Sequence, residues 1–219
     1  MGEPAGSYVI DVGTQQVEVP LVRIADDLTI ALLISVDHGV AFSEQAGRDL
    51  AALLAPFDVD VVVSVATMGI PLAIEVTRAL GLDDYVILHK TPKIHLADAI
   101  AEPVRSITTD RTQRLLFDRS RTEVVAGRRV AVVDDVISTG GSTLAAMNVL
   151  RRVGADPVVI GTLVTEGALW RRTLGPDAHR VQALGAIPLF RHEPDGTVVE
   201  DWEGGGGSSP ADAAGSTSG

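Results

Sequence analysis

The chain has 219 residues, of which 46% are hydrophobic and 21% charged, so it can bury one substantial core. Its 18 basic residues against 29 acidic ones leave a net charge of −11, which argues against a nucleic-acid backbone as partner, because such proteins carry a basic stripe. Cysteine is absent, excluding disulfides and thiolate chemistry. No apolar stretch reaches the ~18 residues a membrane span needs, and no basic-apolar signal segment is present. No membrane role and a cytoplasmic location are therefore expected.

In chain order, strands and helices alternate as in an α/β, doubly wound, mostly parallel sheet. Residues 17–24 and 29–35 read as a leading hairpin around Asp26-Asp27, and 43–54 as a helix ended by Pro56. A buried strand is expected at 59–65, a helix at 71–80 closed by Gly81, and a strand at 85–88. Residues 101–113 are polar with few core positions and bridge two strand-like segments. The run 130–133 is short, apolar and β-branched, as suits a parallel strand covered on both faces. A helix follows at 142–153, with Leu144, Met147 and Leu150 at spacing three and Gly154 as its stop, and then a strand at 157–164.

Beyond residue 165, a short helix mixes with strand-like pieces at 180–184 and 187–190. One domain over 1–203 is expected, with a core at about 36–165 and a small cap from about 8–35 and 166–202. Residues 204–219, rich in Gly and Ser, lack apolar content to offset ordering entropy and read as a disordered tail.

The most informative stretch is RVAVVDDVISTGGST at 129–143. Asp134 and Asp135 fall at the carboxyl end of the 130–133 strand, and the turn after them opens a helix whose first N–H groups would face an anion. A phosphate set directly against two carboxylates is repelled, so the pair must meet something else, such as ribose hydroxyls or a hydrated Mg²⁺. One ligand offering all three is a phosphorylated ribose. The phosphate-loop pattern GxxxxGK[ST] and the dinucleotide pattern GxGxxG are both absent. A response-regulator acidic pocket would place its pair near the start of a domain of about half this length.

The segment VVDDVISTGGST resembles the phosphoribosyl pyrophosphate signature of type I phosphoribosyltransferases, with a similar order of elements over residues 8–200. The resemblance implies that Ser138, Thr139, Gly140, Gly141, Ser142 and Thr143 hold the 5-phosphate. Asp134 and Asp135 would hold the ribose hydroxyls, assist a carbocation-like transition state, and meet Mg²⁺ indirectly through water or those hydroxyls. Ala66, Thr67, Met68 and Gly69 occupy the place of the family's pyrophosphate loop, which is otherwise a plain strand-to-helix turn. At the end of the 85–88 strand, His89, Lys90 and Lys93 are candidates for the leaving pyrophosphate, with Lys90 the catalytic choice. His89 stands where adenine-type members carry arginine. The polar stretch with Ser106, Thr108, Thr109 and Asp110 matches a flexible lid, or else a solvated loop.

Ser138 replaces the aspartate of hypoxanthine-guanine enzymes, so the resemblance points to an adenine- or xanthine-type purine acceptor. Ala66 and Met68 depart from the glutamate and arginine of adenine enzymes, which keeps a non-purine acceptor such as an aminocyclitol open. A non-catalytic sensor of phosphoribosyl pyrophosphate is the other alternative. The expected partners are phosphoribosyl pyrophosphate, a small-molecule acceptor and a second copy in a homodimer. His38, His95, His179 and His192 show no metal-ligand spacing. Trp170 and Phe190 either stack an aromatic acceptor or pack the core, and Glu166 either reads an acceptor amine or caps a helix.

Overall fold

The computed structural model describes residues 6–92, 94, 98–104 and 113–204. Lys93, His95, the expected lid at 106–110 and the expected tail from 205 onward lie outside the described residues.

Strand β1 (Ser7–Val12) pairs antiparallel with β2 (Gln15–Ala25), which pairs with β3 (Leu28–Ala31). The expected hairpin around Asp26-Asp27 is present as β2 and β3, and β1 adds a third strand that was not expected. Only Ile10 and Val12 of β1 are buried, too weak an alternation to announce a strand. Ser35 leaves the strand for a 3-10 turn at Ser35–His38, and helix α1 (Gly39–Leu54) begins earlier than expected. Its buried face, Phe42, Ala46, Gly47, Leu50, Ala51 and Leu54, follows helical spacing. Pro56 sits in the 3-10 turn Ala55–Phe57 that ends it.

Strand β4 (Val61–Val65) is buried throughout and feeds helix α2 (Gly69–Ala79), where Pro71 lies in the first turn and its missing N–H costs no helical bond. Strand β5 (Tyr85–Leu88) matches its expected bounds. Residues 101–104, expected as loop, instead form most of β6 (Ile100–Val104), paired with β7 (Gln113–Phe117). Val104, Leu115 and Phe117 bury this hairpin, and Glu102 ties it to Arg152 at 2.7 Å. The short helix α3 (Thr122–Val125) leads into β8 (Arg129–Ile137), α4 (Gly141–Arg152), β9 (Asp156–Glu166), α5 (Leu169–Leu174) and β10 (Val181–Ile187). The chain then adds β11 (Leu189–His192) and β12 (Val198–Asp201).

Five parallel strands form the central sheet in the order β10-β9-β8-β4-β5. Val61, Val63, Val130 and Val132 pack with Ala145, Met147 and Leu150 of α4. Val62, Ala131 and Val133 pack on the other face with Leu50 of α1 and Leu72 and Val76 of α2. Helices on both faces explain the near-continuous apolar strands. The second sheet is antiparallel, in the order β1-β2-β3-β11-β12. Strand β10, expected in the cap, belongs to the parallel sheet, so the C-terminal part of the cap starts at β11. Trp170, 3% exposed, and Phe190, edge-on to Tyr8 at 5.0 Å, are core residues and not stacking platforms for an acceptor. Among the described residues, no helix is long and apolar enough to cross a membrane.

From β4 the chain crosses through α2 to β5 on one side, and from β8 it crosses through α4 to β9 on the other. The strand order thus reverses between β4 and β8, and a crevice opens beyond their carboxyl ends, where ligands of such sheets bind.

Candidate active site

Asp134 and Asp135 lie inside β8, not beyond its end. The last pair between β8 and β4 is Val133 with Ser64, but pairing with β9 continues to Ile137 opposite Thr165. Residues 134–137 are thus held from one side only, with their other edge open to the crevice. The two aspartates interrupt the apolar run without interrupting the backbone ladder, which is why the sequence pattern alone ends the strand too early.

A cavity of ≈ 250 Å³ occupies this crevice. Its lining includes Ala66, Thr67, Met68, Lys90, Asp134, Asp135, Ser138, Thr139, Gly140, Gly141, Ser142 and Thr143, most of the residues that the sequence marked. Gly69 is buried beneath the wall, and a Cβ there would overlap Ser64 Oγ and lie 2.9 Å from Asp134 Oδ1. His89 fastens β7 instead of lining the cavity: its N–H donates to the Leu116 carbonyl at 3.0 Å and its carbonyl accepts from the Leu116 N–H at 2.8 Å. That bridge fixes the strand end from which Lys90 projects.

Two helix starts converge on the cavity. Helix α4 has Gly140 at its N-cap, with φ 78 and no side-chain cap. The N–H groups of its first turn therefore have no intrahelical acceptor and carry the positive end of the helix dipole. Glycine is favoured at position 140, because the backbone is left-handed and a Cβ would stand 3.2 Å from Trp170 Cα. Helix α2 starts in the same way at Met68, again without a side-chain cap, behind the loop of Ala66 and Thr67 whose joining peptide is cis. Ala66 N–H donates to the Leu88 carbonyl at 2.8 Å, which ties this loop to the end of β5.

The carboxylates answer these positive ends. Burial first, and the Asp135 charge second, push the Asp134 carboxyl up to about 8, while Lys90 pulls the other way. Asp135 is likewise raised, chiefly by burial. The Asp135 N–H donates to Asp134 Oδ1 at 3.1 Å, and Thr162 Oγ1 donates to the Asp135 carbonyl at 3.0 Å, so the Asp134 carboxyl and the Asp135 backbone are anchored. Lys90 is the one cationic side chain among the described lining residues. Among the described residues, no group of three or more His, Asp or Glu could hold a metal ion. Asp134 and Asp135 can hold a hard cation only jointly with oxygens from a ligand and water.

Sequence reasoning missed Ser64, whose buried Oγ has no hydrogen-bond partner among the described residues and adjoins the space beside Gly69 and Asp134. Position in the strand gave no signal, since a serine within an apolar run reads as core. Glu166, marked in the sequence, is 8% exposed at the end of β9, where burial raises its carboxyl and the Ser138 hydroxyl pulls it the other way. The capping reading of it fails, because α5 is capped at Ala168 without a side-chain bond. The histidines have local roles: His192 bonds Thr29 at 2.8 Å, and His179 Nδ1 lies 2.6 Å from the Pro176 carbonyl.

A family model for the phosphoribosyl transferase domain matches residues 43–180. An orotate phosphoribosyltransferase from Caldanaerobacter subterraneus is 31% identical over 123 residues, covering 56% of this chain and 53% of that protein. The transcriptional regulator GfcR 1 of Methanosarcina barkeri is 36% identical over 107 residues, covering 49% of this chain and 46% of its own. The chain thus spans about half the length of these curated relatives. Among solved structures, adenine phosphoribosyltransferase from Saccharomyces cerevisiae, complexed with an imino-altritol bisphosphate and adenine, aligns with a TM-score of 0.58. At 16% identity, that alignment covers 82% of this chain and 94% of the yeast one, and it shows a shared fold.

Proposed function

The chain belongs to the phosphoribosyltransferase family, and on that premise we propose that it transfers 5-phosphoribosyl from phosphoribosyl pyrophosphate to a nitrogen acceptor, an adenine-like purine base. The observation that carries this reading is the convergence of two uncapped helix starts, Lys90 and two strand-borne carboxylates on one crevice. A ligand with phosphate at both ends and hydroxyls between them complements that arrangement.

In the proposed complex, the first turn of α4, from Gly141 to Thr143, holds the 5-phosphate through backbone N–H groups, with Ser138 and Thr139 beside it. Asp134 and Asp135 hold the ribose hydroxyls. The loop of Ala66, Thr67 and Met68 at the start of α2 takes the pyrophosphate, and Lys90 stabilises the charge that develops as it leaves. The bond between C1 of ribose and the pyrophosphate oxygen breaks with its electron pair on the oxygen, and the acceptor nitrogen attacks C1 from the opposite face, its proton passing to water or the departing pyrophosphate. No covalent bond to the protein is needed. Mg²⁺, held by Asp134 and Asp135 through water or ribose hydroxyls, would neutralise phosphate charge that one lysine cannot balance.

The test is pyrophosphate release from phosphoribosyl pyrophosphate with Mg²⁺ and single bases, alongside the shift in melting temperature that phosphoribosyl pyrophosphate causes. Release that requires protein, Mg²⁺ and a base is expected. The similarity to the regulator GfcR 1 favours a second reading. Stabilisation by phosphoribosyl pyrophosphate without release for any acceptor would support sensing in place of transfer.

A further inference from the structure

We propose that Thr162 is a positioning residue for the transfer: its buried hydroxyl holds the Asp135 carbonyl and thereby aims the Asp135 carboxylate at the bound ribose. This rests on the transfer reading above and adds to it a residue that lies outside the cavity wall.

The need for such a hold follows from the sheet. Strand β4 leaves β8 after the pair of Ser64 with Val133, so Asp134 and Asp135 keep a strand neighbour on the β9 side alone. Thr162 stands opposite Asp134 in that remaining ladder. Its Oγ1 donates to the Asp135 carbonyl at 3.0 Å and so bridges the two strands. No equivalent bond comes from the β4 side, where the Ser64 hydroxyl has no partner among the described residues. The Asp135 carbonyl carbon is bonded to the Cα that carries the side chain. A carbonyl held in place therefore fixes one of the two soft backbone dihedrals on which the direction of the carboxylate depends. The Asp135 N–H, bonded to Asp134 Oδ1 at 3.1 Å, fixes the residue from its other end.

Thr162 is fully buried in β9, beside Leu163 and near Ile160 and Val164, which are apolar and buried as well. A valine of the same shape would suit the strand equally and bring no polar atom to desolvate. The acceptors of the hydroxyl therefore indicate what it serves. There are two, the Asp135 carbonyl and, at 3.1 Å, the Val164 carbonyl of its own strand. A hydroxyl has one proton, which these carbonyls share. The bond within β9 thus accounts for only part of it, and the rest reaches the strand that carries the carboxylates. In the proposed complex the phosphates are gripped elsewhere, by the first turns of α2 and α4. A group that acts through Asp135 alone accordingly changes alignment in the transition state and leaves that grip intact.

Two pairs of proteins test this, each pair differing chiefly in the hydroxyl: the wild type against Thr162→Val, and Thr162→Ser against Thr162→Ala. Pyrophosphate release with the base that the wild type uses best is measured at saturating Mg²⁺, well below the melting temperature of each protein. The rise in melting temperature that phosphoribosyl pyrophosphate causes is measured alongside. In each pair the member without the hydroxyl is expected to show kcat lowered on the order of tenfold. Its KM for phosphoribosyl pyrophosphate is expected to stay within about twofold, and the stabilisation to persist. Equal kcat within either folded pair overturns the proposal. A loss that appears in KM as much as in kcat, or that takes the stabilisation with it, overturns it too, because the hydroxyl then supports the cavity as a whole. If Thr162→Val does not fold, the serine and alanine variants decide by the same criterion; if neither hydroxyl-free variant folds, the hydroxyl serves folding and the proposal fails. A wild type that releases no pyrophosphate with any base sinks the transfer reading itself, and the proposal with it.

Discussion

Gly69 and Asp134 show how tightly the crevice is built, since a single methyl on the glycine would press on both the carboxylate and Ser64. This crowding is the local cause of the raised Asp134 carboxyl, which burial and Asp135 push up to about 8 from an ordinary 3.8. Because the folded protein binds that proton more tightly than the unfolded chain, the resulting stabilisation is complete below the unfolded value of 3.8 and is lost as pH rises toward about 8. The ligand-free protein is accordingly expected to melt at progressively lower temperature as pH climbs from about 4 to about 8, and Asp134→Asn to flatten that slope. Melting curves across pH check this. A wild-type profile that rises over the same interval would mean that Asp134 is ionised in the resting fold.

The turn from β8 into α4 depends on contact between elements as much as on its own residues. Gly140 is left-handed and presses against Trp170 and Thr173 of α5, so Gly140→Ala combines a conformational penalty with a packing one. A loss of about 1–3 kcal/mol is expected from overpacking, measurable by urea denaturation. An equally stable Gly140→Ala protein would show that α5 can give way. The same dependence separates what was legible in the sequence from what was not. Strands β4 and β9, buried on both faces, announce themselves as β-branched runs. The end of β8 does not, because its last four residues are held by the ladder with β9 and not by apolar character. Strand β12, half-exposed Val198 and Val199 included, owes its existence to pairing with β11. In the site, the loop residues from 138 to 143 were readable because backbone-binding turns have a composition of their own. Ser64, beside Gly69 and Asp134, required knowing which strands lie side by side.

The antiparallel sheet is joined to the core at several points. Tyr8 on β1 donates to Glu200 on β12 at 3.0 Å and packs on Phe190, so the two outer strands of that sheet are drawn together. The Gly13 N–H donates to the Leu184 carbonyl at 3.1 Å, attaching the hairpin of β1 and β2 to β10. Across the sheet, Arg191 links Asp27 and Asp201 at 3.1 and 3.3 Å, and Asp201 orders the residues that cover Gly167. In the proposed transfer, phosphate recognition would lie in the parallel sheet, and acceptor recognition at its border with the cap. The account stands on the first of these. Its most direct test is base-dependent pyrophosphate release from Mg²⁺–phosphoribosyl pyrophosphate by the wild-type protein beside Asp135→Asn. Release by the wild type, with turnover lowered on the order of 10²-fold or more in a variant of unchanged melting temperature, is the expected result for a group that stabilises the transition state. Equal turnover in the two proteins would remove Asp135 from the chemistry and contradict the placement of the reaction in this crevice.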